Sequence, residues 1–279
     1  MKRALIVIYL SLVYSITFAQ PLSYGSNERA GKYLQVTDAK IYYEVYGEGR
    51  PLLLLHGDFF GYIDDFSLYI PLLSKYFKVI AVAKRGHGKS EMGQQAFSEA
   101  LFAQDAIAVL QHETHDSAVV MGFSSGATTA YYLAAYYPNY IRKVVALAGG
   151  LDHYGYRPDA LQNMKTQQFK EVENGARVFF ANRRKLMPQP DRLGELFERL
   201  KKCWLKEVYV KKEKAESITC PVLVIGGDRD RYSEVERFIH SARLIPGSQL
   251  GIIPGCDHVG LLRKPGLFNE MILPFLIAN

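Results

Sequence analysis

Residues 119–127 are Val119-Val120-Met121-Gly122-Phe123-Ser124-Ser125-Gly126-Ala127, and this segment decides the fold of the chain. An apolar β-branched run ends in Gly-x-Ser-x-Gly and is followed at once by small residues, which predicts a strand, a tight turn and a helix. Side chains two residues before or after the serine would collide in so tight a turn, so the glycines leave the Ser124 hydroxyl clear of the backbone. The Ser125 N–H and the positive end of the helix dipole would then face a developing oxyanion. The rest of the chain has to supply a base and an acid.

On both sides of this segment, apolar runs alternate with helical patterns. The predicted strands are 33–36, 40–46, 51–55, 77–83, 118–123, 144–148, 221–225 and 250–253. The predicted helices are 63–75, 98–112, 127–137, 234–242 and 266–277. Continuous apolar runs are typical of strands buried on both faces, so this alternation predicts an α/β fold, a mostly parallel sheet with helices on both faces.

The alternation stops between residues 152 and 217, where the pattern is helical and too long for a loop. We predict a helical cap of about four short helices, residues 153–216, inserted above the strand ends. Residues 157–214 hold fifteen Lys or Arg against eight Asp or Glu, a net charge of +7. Such charge is typical of a solvated surface; alternatively, Arg183-Arg184-Lys185 or Lys201-Lys202 draw anionic substrates toward the cleft.

The N-terminus has the pattern of an export signal. Met1-Lys2-Arg3 precedes an apolar stretch, and small residues end at Ala19, so we predict a signal peptide over 1–19. The chain is then secreted or periplasmic, with no stable membrane anchor once the signal is removed. Lys2 and Arg3 account for two charges of the net +6, which leaves about +4 on residues 20–279. This modest charge comes with no nucleic-acid-binding pattern, so we expect no nucleic-acid partner.

Three histidines follow Ser124 and are candidates for the base. His153 precedes the late strands, and His240 falls inside a predicted helix. His258 lies in a loop after the strand 250–253, and catalytic groups are commonly placed on such loops. We therefore predict His258 as the base.

The acid has three candidates, because each follows the end of a predicted strand: Asp228, Asp230 and Asp152. The role needs a carboxylate that holds the histidine Nδ1–H and stabilises the imidazolium formed when the serine loses its proton. The residues alone leave this choice open.

Five motifs occur along the chain in this order: His56-Gly57, Arg85-Gly86-His87-Gly88-Lys89-Ser90, Gly122-Phe123-Ser124-Ser125-Gly126, Gly227-Asp228-Arg229-Asp230 and Gly255-Cys256-Asp257-His258. In order and spacing they resemble the α/β-hydrolase superfamily, in its serine-nucleophile branch of capped, esterase- and haloperoxidase-like members. The resemblance implies a sheet of roughly eight strands, and Asp230 as the acid with Asp228 second. It also implies an oxyanion hole formed by the backbone N–H groups of Asp58 and Ser125, and a structural His56 that braces the loop.

Two positions depart from the family pattern. Ala83 stands where relatives usually have an aspartate, so any salt bridge of that aspartate is absent. Asp58 is an unusual residue on the oxyanion loop, because its carboxylate would repel an oxyanion unless it is turned away or paired. Ser124 excludes the members of this fold that use an aspartate nucleophile, the haloalkane dehalogenases and the epoxide hydrolases.

These features together predict a serine hydrolase that needs no cofactor or metal and acts by acyl transfer on carboxylic esters of small molecules. The aromatic residues Phe59, Phe60, Tyr62 and Phe179-Phe180 form either an apolar pocket for the acyl or alcohol group or part of the core. Together with the basic cap, they lead us to expect an anionic or aromatic substrate. The alternatives are a C–C bond hydrolase, a lactonase or an aminopeptidase, the last disfavoured by the basic cap. Another alternative is a non-catalytic ligand-binding receptor on the same scaffold.

Overall fold

A computed structural model describes residues 23–278, so the predicted signal peptide, residues 1–19, lies outside the described residues. The strands are β1 (Gly31–Gln35), β2 (Lys40–Tyr46), β3 (Pro51–Leu55), β4 (Lys78–Val82), β5 (Ala118–Phe123), β6 (Ile141–Leu147), β7 (Val222–Gly227) and β8 (Gln249–Ile253). Within the described residues they form one eight-stranded sheet in the order β1-β2-β4-β3-β5-β6-β7-β8. β2 pairs antiparallel with β1 and β4, and every other pair is parallel. The predicted mostly parallel sheet is confirmed.

Helices cover both faces of this sheet. They are α1 (Ile70–Leu73), α2 (Glu99–Glu113), α3 (Ser125–Tyr136), α4 (Pro158–Thr166), α5 (Phe169–Gly175), α6 (Arg177–Arg184), α7 (Leu193–Trp204), α8 (Lys212–Ala215), α9 (Val235–Leu244), α10 (Pro265–Leu267) and α11 (Leu273–Ile277). Alternate side chains of β3 enter different cores: Leu53 and Leu55 pack under α2 and α3, and Leu52 and Leu54 pack on the α1 side. Burial on both faces explains the continuous apolar run.

One predicted helix is broken by proline. The predicted helix 63–75 is a 3₁₀ turn, Ile63–Phe66, followed by α1, because Pro71 lacks the N–H that a continuous helix needs and fits only in a first turn. The prediction of one continuous helix there was wrong for this reason. The predicted helix 266–277 is present as an uninterrupted helical run, in which α10 widens into a π turn over Phe268–Ile272 and continues as α11.

Helices α4–α8 all lie between β6 and β7, in the interval predicted as a cap, and they are five among the described residues where about four were expected. Helices α5, α6 and α7 pack on the body through an apolar cluster that joins Phe59 and Phe102 to Phe180, Phe197 and Leu200. In the part of the chain that the structure describes, no helix has the length and apolarity required to cross a bilayer.

Candidate active site

The turn between β5 and α3 holds Ser124 in a strained conformation. Its φ of 55° and ψ of −121° lie outside the regions that non-glycine residues prefer. A Cβ on Gly122 would lie 2.2 Å from the Gly126 carbonyl oxygen, and a Cβ on Gly126 would lie 2.0 Å from that of Leu55. Space alone therefore requires both glycines, as the sequence motif predicted, and the serine lines a cavity above the strand ends.

Ser124, His258 and Asp230 form one hydrogen-bonded chain. His258 Nε2 lies 3.0 Å from Ser124 Oγ, and its Nδ1 lies 2.6 Å from Asp230 Oδ2. Asp230 is only 1% exposed, and its Oδ1 accepts hydrogen bonds from the N–H groups of Tyr232 and Ser233 at 2.8 and 3.1 Å. A carboxylate fixed in this way favours the tautomer of His258 that is protonated on Nδ1, so Nε2 is left to accept the serine proton.

The structure places the other candidates elsewhere. Asp228 accepts a hydrogen bond from the Cys256 N–H at 3.3 Å and so ties the His258 loop to the end of β7. Asp152 lies 3.2 Å from His240, and His153 bonds a backbone carbonyl at the end of α7. None of these four side chains belongs to the hydrogen-bond network of Ser124, His258 and Asp230.

Asp58 and Ser125, whose backbone amides the resemblance assigns to the oxyanion hole, line the cavity together with Ser124. Among the hydrogen bonds within residues 23–278, neither of these amides has an acceptor. Ser125 also begins α3, so its N–H is one of the unpaired donors at a helix N-terminus. The oxyanion role that the resemblance implies for both residues stays a prediction, and both amides are free of other acceptors among the described residues.

Two buried histidines brace the loop that carries Asp58. His56 Nδ1 donates to the Gly57 carbonyl at 2.6 Å, and its Nε2 accepts from the Lys84 N–H at 3.0 Å. His87 Nε2 accepts from the Phe59 N–H at 2.8 Å. Burial, together with neighbouring His87, lowers the pKa of His56 well below its usual range, and burial lowers the pKa of His87 to about 4. Both rings therefore stay neutral and accept hydrogen bonds as structural residues at neutral pH.

Residues 52–271 match the sequence model of the alpha/beta hydrolase family. This chain belongs to the alpha/beta hydrolase family. Serine hydrolase BPHL of Mus musculus is 27% identical over 277 residues, which cover 92% of this chain and 90% of the relative. The 2-(acetamidomethylene)succinate hydrolase of Mesorhizobium japonicum is 26% identical, covering 83% of this chain and 90% of that enzyme. The match confirms the resemblance drawn from the motifs, and the protein is a hydrolase.

Solved structures agree on the fold of this alpha/beta hydrolase. The enol-lactonase from Burkholderia xenovorans LB400 superposes with a TM-score of 0.70 at 19% sequence identity, covering 88% of this chain and all of that one (100%). At this identity the likeness shows the architecture alone.

The unusual Asp58 of this hydrolase is paired. Its Oδ1 lies 2.6 Å from the ammonium of Lys84, and its Oδ2 accepts the indole N–H of Trp204 at 2.8 Å. Burial alone would raise the pKa of the Asp58 carboxyl, but the Lys84 charge, nearby His87 and these hydrogen bonds lower it to about 2. The carboxylate is thus ionised, and its charge is neutralised by Lys84.

Sequence reasoning assigned no role to Lys84 or Trp204. The only signal for Lys84 was a lysine directly after a buried strand, and the partners of Asp58 lie 26 and 146 residues away from it. The pairing became visible only in the fold.

Two further carboxyls in the cavity wall have a raised pKa. Burial raises the pKa of Glu99 to about 7 against the opposing effect of Lys84, and the Glu99 carboxyl accepts the Thr129 hydroxyl at 2.7 Å. Burial and the neighbouring Asp64 raise the pKa of Asp65 to about 7, and its Oδ2 has no hydrogen-bond partner among the described residues. Both carboxyls are largely protonated slightly below neutral pH.

The cavity has a volume of about 540 Å³ and lies between the body and helices α4, α6 and α7. Of the aromatic residues considered in the sequence, Phe59, Phe60 and Phe179 line it. Phe180 is fully buried in the cluster under the cap, and Tyr62 is buried with its hydroxyl on the Gly25 carbonyl. The aromatic set is therefore divided between pocket wall and core.

Arg183 is one of the basic cap residues predicted to attract an anionic substrate, and it lines the cavity. It forms a bidentate ion pair with Asp64, with N···O distances of 2.9 and 3.0 Å. A second cavity arginine, Arg237 on α9, is 2% exposed and stacks on the Tyr156 ring at 3.7 Å. Its Nη1 donates to the carbonyls of Asp152 and Tyr154. No carboxylate within residues 23–278 forms an ion pair with Arg237.

The described part of the chain holds no cluster of three or more His, Cys, Asp or Glu side chains arranged to bind a metal ion.

Proposed function

We propose that this hydrolase acts by acyl transfer through Ser124, His258 and Asp230, on carboxylic esters of small molecules. One observation carries the proposal: the unbroken hydrogen-bond chain from Ser124 Oγ through both ring nitrogens of His258 to Asp230, with Ser124 open to the cavity. A serine alcohol is a weak nucleophile, and a base aligned by a carboxylate is the arrangement that activates it.

In the first half-reaction, Ser124 Oγ attacks the ester carbonyl carbon while its proton moves to His258 Nε2. Asp230 stabilises the imidazolium through the 2.6 Å hydrogen bond to Nδ1. The carbonyl oxygen becomes an oxyanion and accepts hydrogen bonds from the backbone N–H groups of Asp58 and Ser125. The tetrahedral intermediate then releases the alcohol, which takes the proton from Nε2 and leaves an acyl-serine.

In the second half-reaction, water attacks the acyl carbon and gives a proton to His258. The same two amides hold the second oxyanion. Collapse of this intermediate returns the proton to Ser124 Oγ and releases the carboxylic acid.

We further propose that the substrate has an anionic group. Asp58 and Asp64 are already neutralised by Lys84 and Arg183, whereas Arg237 is buried beside the cavity with no carboxylate partner among the described residues. A buried cation is stabilised by a paired anion, and an arginine suits a carboxylate. We expect a p-nitrophenyl hemisuccinate to be preferred over the acetate, and the preference to be lost in Arg237→Met.

The first test of the reaction is labelling of the purified protein by a fluorophosphonate probe, followed by hydrolysis of short p-nitrophenyl esters. We expect labelling of the wild type and none of Ser124→Ala or His258→Ala. His240→Ala is the matched control. His240 also lies beside an aspartate, Asp152, but it is not hydrogen-bonded to Ser124. It should label like the wild type.

Absence of labelling in folded wild-type protein would refute the proposal and favour the binding-receptor alternative. Labelling without ester hydrolysis would instead direct the search to lactones and to substrates cleaved at a C–C bond, which use the same activated serine.

We also propose export, with cleavage after Ala19, on the sequence pattern of residues 1–19. N-terminal sequencing of the protein recovered outside the cytoplasm should begin at Gln20. Recovery of the full-length chain from the cytoplasm alone would refute this.

A further inference from the structure

Lys84 is a buried lysine with two partners. It follows β4 by two residues, and its side chain is 3% exposed. The ammonium lies 2.6 Å from Asp58 Oδ1 and 3.2 Å from Ser125 Oγ, and it lies 4.2 Å from the centre of the Phe102 ring. Burying an ammonium costs free energy of hydration, and these contacts compensate for that loss at Lys84.

The two partners are the residues whose backbone N–H groups face the oxyanion in the proposed reaction. Asp58 follows β3, and Ser125 follows β5, so the two donors belong to separate segments of chain. Two N–H groups stabilise one oxygen only if both are held close to hydrogen-bond distance from the same point. A single ammonium that bonds both side chains fixes the two segments relative to each other.

The charge of Lys84 has a second effect. Asp58 is ionised and lies on the oxyanion loop, where a bare carboxylate would repel the developing negative charge. Lys84 neutralises this charge on one carboxylate oxygen, and the Trp204 indole binds the other oxygen at 2.8 Å. The carboxylate is thus kept paired, while the Asp58 N–H has no acceptor within residues 23–278.

We propose that Lys84 is the positioning residue of the oxyanion hole, which aligns the Asp58 and Ser125 amides and neutralises the Asp58 carboxylate. This proposal rests on the serine-hydrolase function proposed above. Lys84 acts through these two residues and touches no reacting atom.

The test is Lys84→Met, which keeps the length of the side chain and removes its charge. We expect kcat for p-nitrophenyl acetate to fall about 10- to 100-fold with KM within about 3-fold, since displaced donors weaken only transition-state binding. The inhibition constant of a trifluoromethyl ketone, which forms a stable oxyanion adduct, should rise by the same factor as kcat/KM falls.

The double variant Lys84→Met/Asp58→Asn separates the two effects. Asparagine still accepts the Trp204 indole N–H but has no charge, so kcat should recover at least about 3-fold over Lys84→Met alone. Lys89→Met is the matched control, because Lys89 is near in the chain, its ammonium lies over the Tyr42 ring, and it contacts neither oxyanion residue. Its kcat should stay within about 2-fold of the wild type.

Folding is checked by the emission of Trp204, the one tryptophan of the sequence, and by the fluorophosphonate label. If Lys84→Met does not fold, the variants Ser125→Ala and Asp58→Asn test the positioning role instead, because each removes one partner of Lys84. We expect kcat to fall about 3- to 10-fold in each variant at constant KM. Unchanged kcat in folded Lys84→Met, or in both replacement variants, would overturn the positioning role. A wild type that does not label would instead refute the serine-hydrolase function itself.

Discussion

Replacing Glu99 by glutamine should stabilise this protein at alkaline pH and not at acidic pH. Glu99 is 8% exposed near the start of α2, and burial raises the pKa of its carboxyl from 4.5 to about 7. For an acid whose pKa is raised by folding, ionisation destabilises the folded state. The penalty is absent below pH 4.5, grows between pH 4.5 and 7, and is complete above pH 7.

The size of the effect follows from this difference in pKa. A difference of about 2.5 units corresponds to about 3 kcal/mol in the free energy of unfolding at pH 8. Glutamine has nearly the same shape, cannot ionise and still accepts the Thr129 hydroxyl, which lies 2.7 Å from the Glu99 carboxyl. Glu99→Gln should therefore raise the free energy of unfolding by about 2–3 kcal/mol at pH 8 and change it by less than about 1 kcal/mol at pH 5.

The assay is urea unfolding at both pH values, followed by Trp204 emission and far-UV circular dichroism. Glu113, at the other end of α2, is the matched control. Burial raises the pKa of its carboxyl, but hydrogen bonds from Lys32, Lys78 and Tyr43 outweigh burial and lower it to about 2. Glu113→Gln should thus destabilise the protein at pH 5 and at pH 8 alike.

The reasoning is refuted if Glu99→Gln lowers the free energy of unfolding at pH 8. That result would mean that the attraction between the Glu99 carboxylate and Lys84 exceeds the cost of burying the carboxylate, so that folding lowers the pKa of Glu99 instead of raising it.

Three further predictions concern residues fixed by geometry. Asp230→Asn should lower kcat for p-nitrophenyl acetate about 10⁴-fold. Asp228→Asn should lower it less than about 10-fold, because the Asp228 carboxylate bonds the Cys256 amide and not His258; equal losses in steady-state kinetics would contradict the proposed role of Asp230. Arg85→Met should lower the free energy of unfolding in urea by about 3–5 kcal/mol, because it leaves the carboxylate of Asp105, bonded at 2.6 and 2.8 Å, buried without its partner. Gly126→Ala should cost about 1–3 kcal/mol, since the added Cβ would lie 2.0 Å from a β3 carbonyl oxygen; an unchanged melting temperature would count against the observed turn geometry.

Much of the fold was predictable because it depends on local chemistry. Apolar runs of strand length predicted most of the sheet, and Gly122 and Gly126 predicted the turn around Ser124, since steric requirements within a few residues are written in adjacent positions. The break in the predicted helix 63–75 was missed because the helical pattern continues through Pro71, where the backbone cannot.

The site was predictable in part. His258 could be singled out by its place in a loop after the last strand. The choice of Asp230 over Asp228 and Asp152 came from the family resemblance, and only the tertiary structure shows that the Asp230 carboxylate lies 2.6 Å from the His258 ring. All three aspartates follow strand ends, so sequence position alone does not distinguish them.

The sequence by itself determined the strand, turn and helix at Ser124, the mostly parallel sheet and the loop of His258. The tertiary structure alone decided the state of Asp58, whose carboxylate is neutralised by Lys84 and bound by Trp204. The physical reason is the strand order β4-β3-β5, which differs from the chain order and brings the ends of these three strands side by side. Lys84 follows β4, and its ammonium reaches both Asp58 after β3 and Ser125 after β5. No local pattern in the sequence encodes these contacts.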